Sequence, residues 1–66
     1  MVYVCKLYVN GTSEQTVTFD TLAKAENWAC KNARVDEGVR YTVSIYGDVK
    51  EGTDVVNMFP LKIFLE

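Results

Sequence analysis

From Val2 to Val9 the odd positions Tyr3, Cys5, Leu7 and Val9 are all apolar, while the even ones are Val2, Val4, Lys6 and Tyr8. That two-residue period predicts a strand whose odd face turns inward. Asn10-Gly11 follows at once, and both residues tolerate the positive φ of a tight hairpin turn. Alternation resumes at Gln15-Thr16-Val17-Thr18-Phe19, so a first β-hairpin is expected, with Val17 and Phe19 joining the inward set. Because Thr12, Ser13 and Glu14 are also polar, the pattern allows a loop longer than two residues.

The period then changes. Across Asp20 to Arg34, Leu22, Ala25, Ala29 and Ala33 fall on one stripe at helical spacing, flanked by Trp28 and Asn32 on one side and by Glu26 and Cys30 on the other. Asp20 or Thr21 is placed to cap the first turn, and Lys31 and Arg34 fall in the last turns, where cations complement the helix dipole. The small alanines predict a helix lying close to the sheet, with Tyr3, Leu7, Phe19 and Trp28 filling the remaining volume.

Asp36-Glu37 reads as a solvated helix exit and Gly38 as a break. Val39, Tyr41, Val43 and Ile45 then alternate with Arg40, Thr42, Ser44 and Tyr46, the most regular strand pattern in the chain. Gly47 to Asp54 is polar and glycine-bearing and reads as a loop. The tail from Val55 to Glu66 is strand-like but interrupted by Pro60, which cannot donate to a ladder, so the last strand is an edge strand or starts only after it. No linker or repeat divides residues 1–66, which are expected to form one α+β domain: β-β-α-β-β, an antiparallel sheet with one helix packed on one face.

Composition narrows the function classes. At 66 residues the chain is near the lower limit for a single unaided core, and folding buries roughly 60% of the surface an unfolded chain of this size exposes. A net charge of −2 gives no basic field of the kind that drives non-specific nucleic-acid binding. The start Met1-Val2-Tyr3-Val4-Cys5-Lys6 is no cationic leader followed by a long apolar region, and no apolar run approaches the ~20 residues that span a bilayer. The expectation is a soluble cytoplasmic protein without membrane contact. Two cysteines, Cys5 and Cys30, are too few for a secreted disulfide framework and match no zinc spacing.

Candidate chemistry is sparse. The chain has no histidine, the commonest general base and metal ligand. Cys5 on an inward strand face reads as a structural thiol, as does Cys30 on the flank of the helix stripe. Asp48, Glu51 and Asp54 recur every third residue, but lack the alternate-position ligands, central glycine and terminal glutamate of a calcium loop. No catalytic residue, metal or cofactor is therefore expected, and the chain reads as non-enzymatic.

The sheet face away from the helix is more informative. On this register it carries Val2, Val4, Tyr8, Thr18, Thr42, Tyr46 and Phe64 as a candidate binding surface, with Thr16, Ser44 and the stem of Lys6. An apolar or aromatic face left open on a small monomer marks an interaction site, unless its threonines, valines and tyrosines are there only for their strand propensity. The first functional expectation is a protein-binding module, acting on a protein partner or on a second copy through this face or the edge strand. The alternative is single-stranded nucleic-acid binding, with Tyr8, Tyr46 and Phe64 as a stacking platform.

The stretch Phe19-Asp20-Thr21-Leu22-Ala23-Lys24-Ala25-Glu26-Asn27-Trp28-Ala29, followed by Tyr41-Thr42-Val43-Ser44-Ile45-Tyr46, resembles the compact strand-helix-strand makeup of small accessory proteins of tailed bacteriophages. The resemblance covers about the middle half of the chain and consists of propensity patterns rather than motifs. It implies a protein that binds and modulates a host component, and it transfers no functional residue.

Overall fold

Two turns with positive φ set the strand pairing. Asn10 (φ 50°) and Gly11 (φ 87°) make a two-residue turn whose twist matches the strands it joins. In the computed structural model, which describes residues 1–55 and 58–65, β1 (Val2–Val9) and β2 (Thr12–Phe19) therefore pair antiparallel from Val9 opposite Thr12 to Tyr3 opposite Phe19. Thr12 to Glu14 are strand rather than loop. The extra residue is absorbed in a bulge, since Tyr8 faces Ser13 and Leu7 faces Gln15, leaving Glu14 unmatched.

The helix α1 spans Leu22–Asn32, shorter than the alanine stripe suggests. Thr21 is its N-cap, its hydroxyl accepting from the Lys24 amide at 3.3 Å. At the other end the Asn32 side chain donates to the Trp28 carbonyl at 2.7 Å, and Ala33 turns extended (φ −77°, ψ 117°). Arg34 therefore leaves the helix and enters a short strand, β3 (Arg34–Asp36). Glu37 (φ 50°) and Gly38 (φ 80°) then repeat the two-residue turn, setting Asp36 opposite Val39. The segment read as a helix exit is thus half of a second hairpin.

That hairpin leads into β4 (Val39–Val49), which runs through Gly47 and Asp48 instead of stopping at Tyr46. Asp48 sits at φ 52°, and the register shifts there, with Tyr46 facing Val4 and Val49 facing Val2. β5 (Lys62–Phe64) begins after Pro60, as expected of an edge strand. Val56, Asn57 and Glu66 of the tail lie outside the described residues.

Among the described residues the sheet has five antiparallel strands in the order β2-β1-β4-β3, with β5 sharing β3's side of β4. The fold is α+β. Helix α1 covers one face, where Cys5, Ala25, Ala29, Val43 and Ile45 are wholly buried and Tyr3, Leu7, Phe19, Leu22, Trp28, Ala33 and Phe64 pack around them. The stripe read from the sequence is the one that meets the sheet, and Trp28 lies against Phe19 with ring centroids 6.1 Å apart.

Candidate functional site

On the face away from α1, the pairing sets Thr18, Val4 and Tyr46 in one row, Thr16, Lys6, Ser44 and Ile63 in the next, and Ser13, Tyr8 and Thr42 in a third. One end of this face is not open. Val55, from the segment after β4, folds onto it, and Val4, Tyr46, Val49 and Val55 form a second buried cluster with Val2 packed alongside. Val55 is only 3% exposed. The apolar residues that suggested a binding surface are therefore largely the floor of a small core.

The seven candidate residues separate accordingly. Val4 and Tyr46 are buried, Val2, Tyr8 and Thr42 are half-buried, and Thr18 is exposed. Thr42 donates its hydroxyl to the Leu65 carbonyl at 3.1 Å. Phe64 is on the other side, because it pairs with Val43, whose side chain faces the helix. A one-residue difference in register moves a side chain across the sheet. The three-ring platform needed for base stacking is not assembled: Phe64 lies behind the sheet and Tyr46 lies under Val55.

Burial first, then the hydrogen bond and charge of the Tyr8 phenol, raise the Tyr46 phenol above its ordinary value, while Ser44 pulls it down. Burial pushes the Cys5 thiol up to about 11, so it stays protonated and inert at neutral pH. Cys30 is exposed on the helix rather than built into a site. Asp48, Glu51 and Asp54 are all exposed, and among the described residues no group of three His, Cys, Asp or Glu side chains is placed to hold a metal ion. No helix among the described residues is long and apolar enough to cross a membrane.

The exposed apolar surface is at the sheet edge. Phe59 is 94% exposed and Leu61 58%, with Met58, Ile63 and Leu65 also open, and Val35 on β3 is 61% exposed along the same side of β4. Leu61 lies over Gly47, where a methyl group would overlap its side chain. The only charge in this stretch is Lys62, whose ammonium is paired with Glu26 on α1.

The direction of the main chain along this edge follows from the pairing. Asn10 N–H donates to the Arg40 carbonyl at 2.8 Å, so even-numbered residues of β4 turn their main-chain groups toward β1 and odd-numbered ones toward β3 and β5. The Leu61 amide, donating to the Ile45 carbonyl at 2.7 Å, agrees. Ile63 faces Ser44 and Val35 faces Arg40, both even, so the N–H and C=O of Ile63 and Val35 point outward.

The opposite edge, β2, differs in kind. It is eight residues long, with a bulge at Glu14, and a further acid, Asp20, follows its end. Bulges and charges at such places keep an edge from pairing with other chains. Phe59, Leu61, Ile63, Leu65 and Val35 were not singled out by the sequence reading. A signal was present, since six of the eight residues from Met58 to Leu65 are large and apolar, too many for a short edge strand to bury. Compared with protein-family models, curated proteins and solved structures, the chain matches none.

Proposed function

We propose that the chain is a non-enzymatic protein-binding module that binds through the β5 edge and the segment leading into it. The observation that carries this reading is the run of exposed large apolar side chains from Met58 to Leu65, with Phe59 almost fully in solvent. A small monomer rarely leaves such a run uncovered unless it is a contact surface. The main chain adds a docking device, because an uncovered strand edge with outward N–H and C=O groups accepts another strand.

The test is site-directed photo-crosslinking in the source cell, with a benzophenone side chain in place of Phe59 and, as control, in place of Lys24 on the outer helix surface. Covalent adducts with a polypeptide at position 59 and none at position 24 are the expected result. No protein adduct at position 59, or equal yields at both positions, would end this reading. The adduct's mass also separates the possible occupants: a second copy of this chain, or a foreign protein such as the host component that the phage resemblance implies.

A further inference from the structure

We propose that Asn10 is a self-modification site under the control of the fold: the closed Asn10-Gly11 turn keeps its side-chain amide intact, and the opened turn lets it convert to aspartate and isoaspartate.

The chemistry is that of an asparagine followed by glycine. The Gly11 main-chain nitrogen gives up its proton to solvent and attacks the Asn10 Cγ; the new C–N bond closes a five-membered succinimide, and the side-chain nitrogen leaves as ammonia. Water then opens the ring at either carbonyl. One opening gives aspartate, and the other gives isoaspartate, whose main chain runs through the former side chain and is one carbon longer. Glycine favours the first step because no Cβ stands beside the attacking nitrogen. Asn27 precedes Trp28, Asn32 precedes Ala33 and Asn57 precedes Met58, so Asn10 alone has a glycine after it.

Two observations tie this reaction to the fold. Asn10 lies at φ 50°, in the left-handed region, and with Gly11 at φ 87° forms a turn of the mirror-image type that hairpins favour. In that conformation the Gly11 nitrogen lies across the Cα–C bond from Cβ, so ring closure needs a rotation of roughly half a turn about that bond. Such a rotation opens the hairpin.

Asn10 is also held from outside its own hairpin. Its N–H donates to the Arg40 carbonyl at 2.8 Å, and its Oδ1 accepts from the Arg40 N–H at 2.9 Å. Val9 opposite Tyr41 ends the main-chain register of β1 with β4; one residue on, the chain turns away and the Asn10 side-chain carbonyl supplies the next acceptor. Asn10 therefore starts one turn and extends the pairing of the two central strands. Both Asn10 and Gly11 are exposed to the water that the reaction consumes.

The two products differ in what they keep. An aspartate still offers a carboxylate oxygen to the Arg40 N–H. Isoaspartate moves that carbonyl into the main chain and adds a carbon to a turn whose two residues set Val9 opposite Thr12. A chain that has stayed open long enough thus loses both the turn and the Arg40 contacts, and the site records time spent open.

The test is a tryptic map of the full chain after incubation at mildly alkaline pH, folded in buffer and unfolded in guanidinium chloride. The peptide from Leu7 to Lys24 holds Asn10 as its one asparagine, and its aspartate and isoaspartate forms separate from the parent peptide by mass and retention. The expected result is conversion of Asn10 in guanidinium chloride and a rate more than about tenfold lower in buffer, where the closed turn and its hydrogen bonds must first open. Chains carrying isoaspartate should fail to regain the parent's melting transition when the denaturant is removed, while Asn10→Asp should refold and melt close to the parent. Equal rates in the two conditions, or no conversion in guanidinium chloride, would overturn the proposal. So would isoaspartate chains that melt like the parent, or an Asn10→Asp chain that melts no better than they do.

Discussion

The two faces of the sheet are covered in opposite ways. On one, an eleven-residue helix lays Ala25 and Ala29 onto Cys5, Val43 and Ile45, and large side chains from three strands and the helix close the rim. On the other, one side chain from an irregular segment, Val55, covers Val4, Tyr46 and Val49. A helix presents an apolar residue every three or four positions and so buries a continuous area, whereas a loop can anchor a single point. Most of the fold's stability should therefore reside on the helix side.

The largest expected effect is on that side. Ile45→Ala removes three carbons from a wholly buried position and should cost about 4 kcal/mol, comparable to the entire stability expected of a core this small. Trp28→Ala, at a half-buried position against Phe19, should cost about 3 kcal/mol. Circular dichroism melts would show Ile45→Ala largely unfolded at room temperature. A Trp28→Ala melt matching the parent's would mean that the helix cover is weaker than its geometry implies.

Next in size is a pH effect carried mainly by the same side. The Cys5 thiol is raised from 9.0 to about 11, so the neutral form is favoured in the folded state. Its stabilising effect is complete below pH 9.0 and is lost as pH rises through 9.0 toward about 11. Ionising a thiol held that far above its ordinary range should cost the fold about 2 to 3 kcal/mol. Tyr46 on the other face, also raised, acts in the same direction from pH 10.0 upward. Urea melts at neutral pH and near pH 11 should show this loss in the parent. Cys5→Ala should remove most of it, and Tyr46→Phe a smaller part.

Val55→Ala tests the weaker cover. Losing two methyl groups from a nearly closed site should cost about 1 to 2 kcal/mol. The effect should be local: nuclear magnetic resonance would show the Tyr46 phenol titrating closer to its ordinary value, with the Trp28 and Ile45 resonances unmoved. Shifts of equal size on both faces would show that the two clusters act as one core.

This contrast also explains what was legible in the sequence. Periodicity is a property of regular elements, so the odd face of β1, the alanine stripe and the alternation from Val39 onward could all be read directly, and Asn10-Gly11 marked its turn. Val55 has no period to reveal it, and without it Val4 and Tyr46 look open when they are buried. Phe64 was assigned to the wrong face because its side depends on where β5 starts after Pro60, a register set by pairing with β4. β3 went unseen because Arg34, Val35 and Asp36 hold one apolar residue among three and continue directly from a helical pattern. The edge strand was expected, but the exposure of Phe59, Leu61 and Ile63 was not legible for a related reason: an apolar tail reads first as core, and only the topology shows that β4 is its sole neighbour among the described strands.

The smallest expected effect lies where neither cover reaches. Tyr41 sits on the helix side of β4, beyond the end of α1 at Asn32, and the Arg34 guanidinium lies over its ring, 4.3 Å from the centroid. The chain places it there because Ala33 turns extended and Arg34 pairs directly with Tyr41. A planar cation over an aromatic face at an exposed site contributes about 0.5 to 1 kcal/mol. Arg34→Gln should therefore lower the melting temperature by roughly 2 to 8 °C, given the sensitivity of a domain this size. Arg34→Lys should recover only part of that, because the ammonium keeps the charge but not the flat stacking surface. If Arg34→Gln melts with the parent while β3 amides keep their exchange protection, the Glu37-Gly38 turn alone holds that corner. Equal melting of Arg34→Lys and the parent would instead assign the effect to charge rather than to stacking on Tyr41.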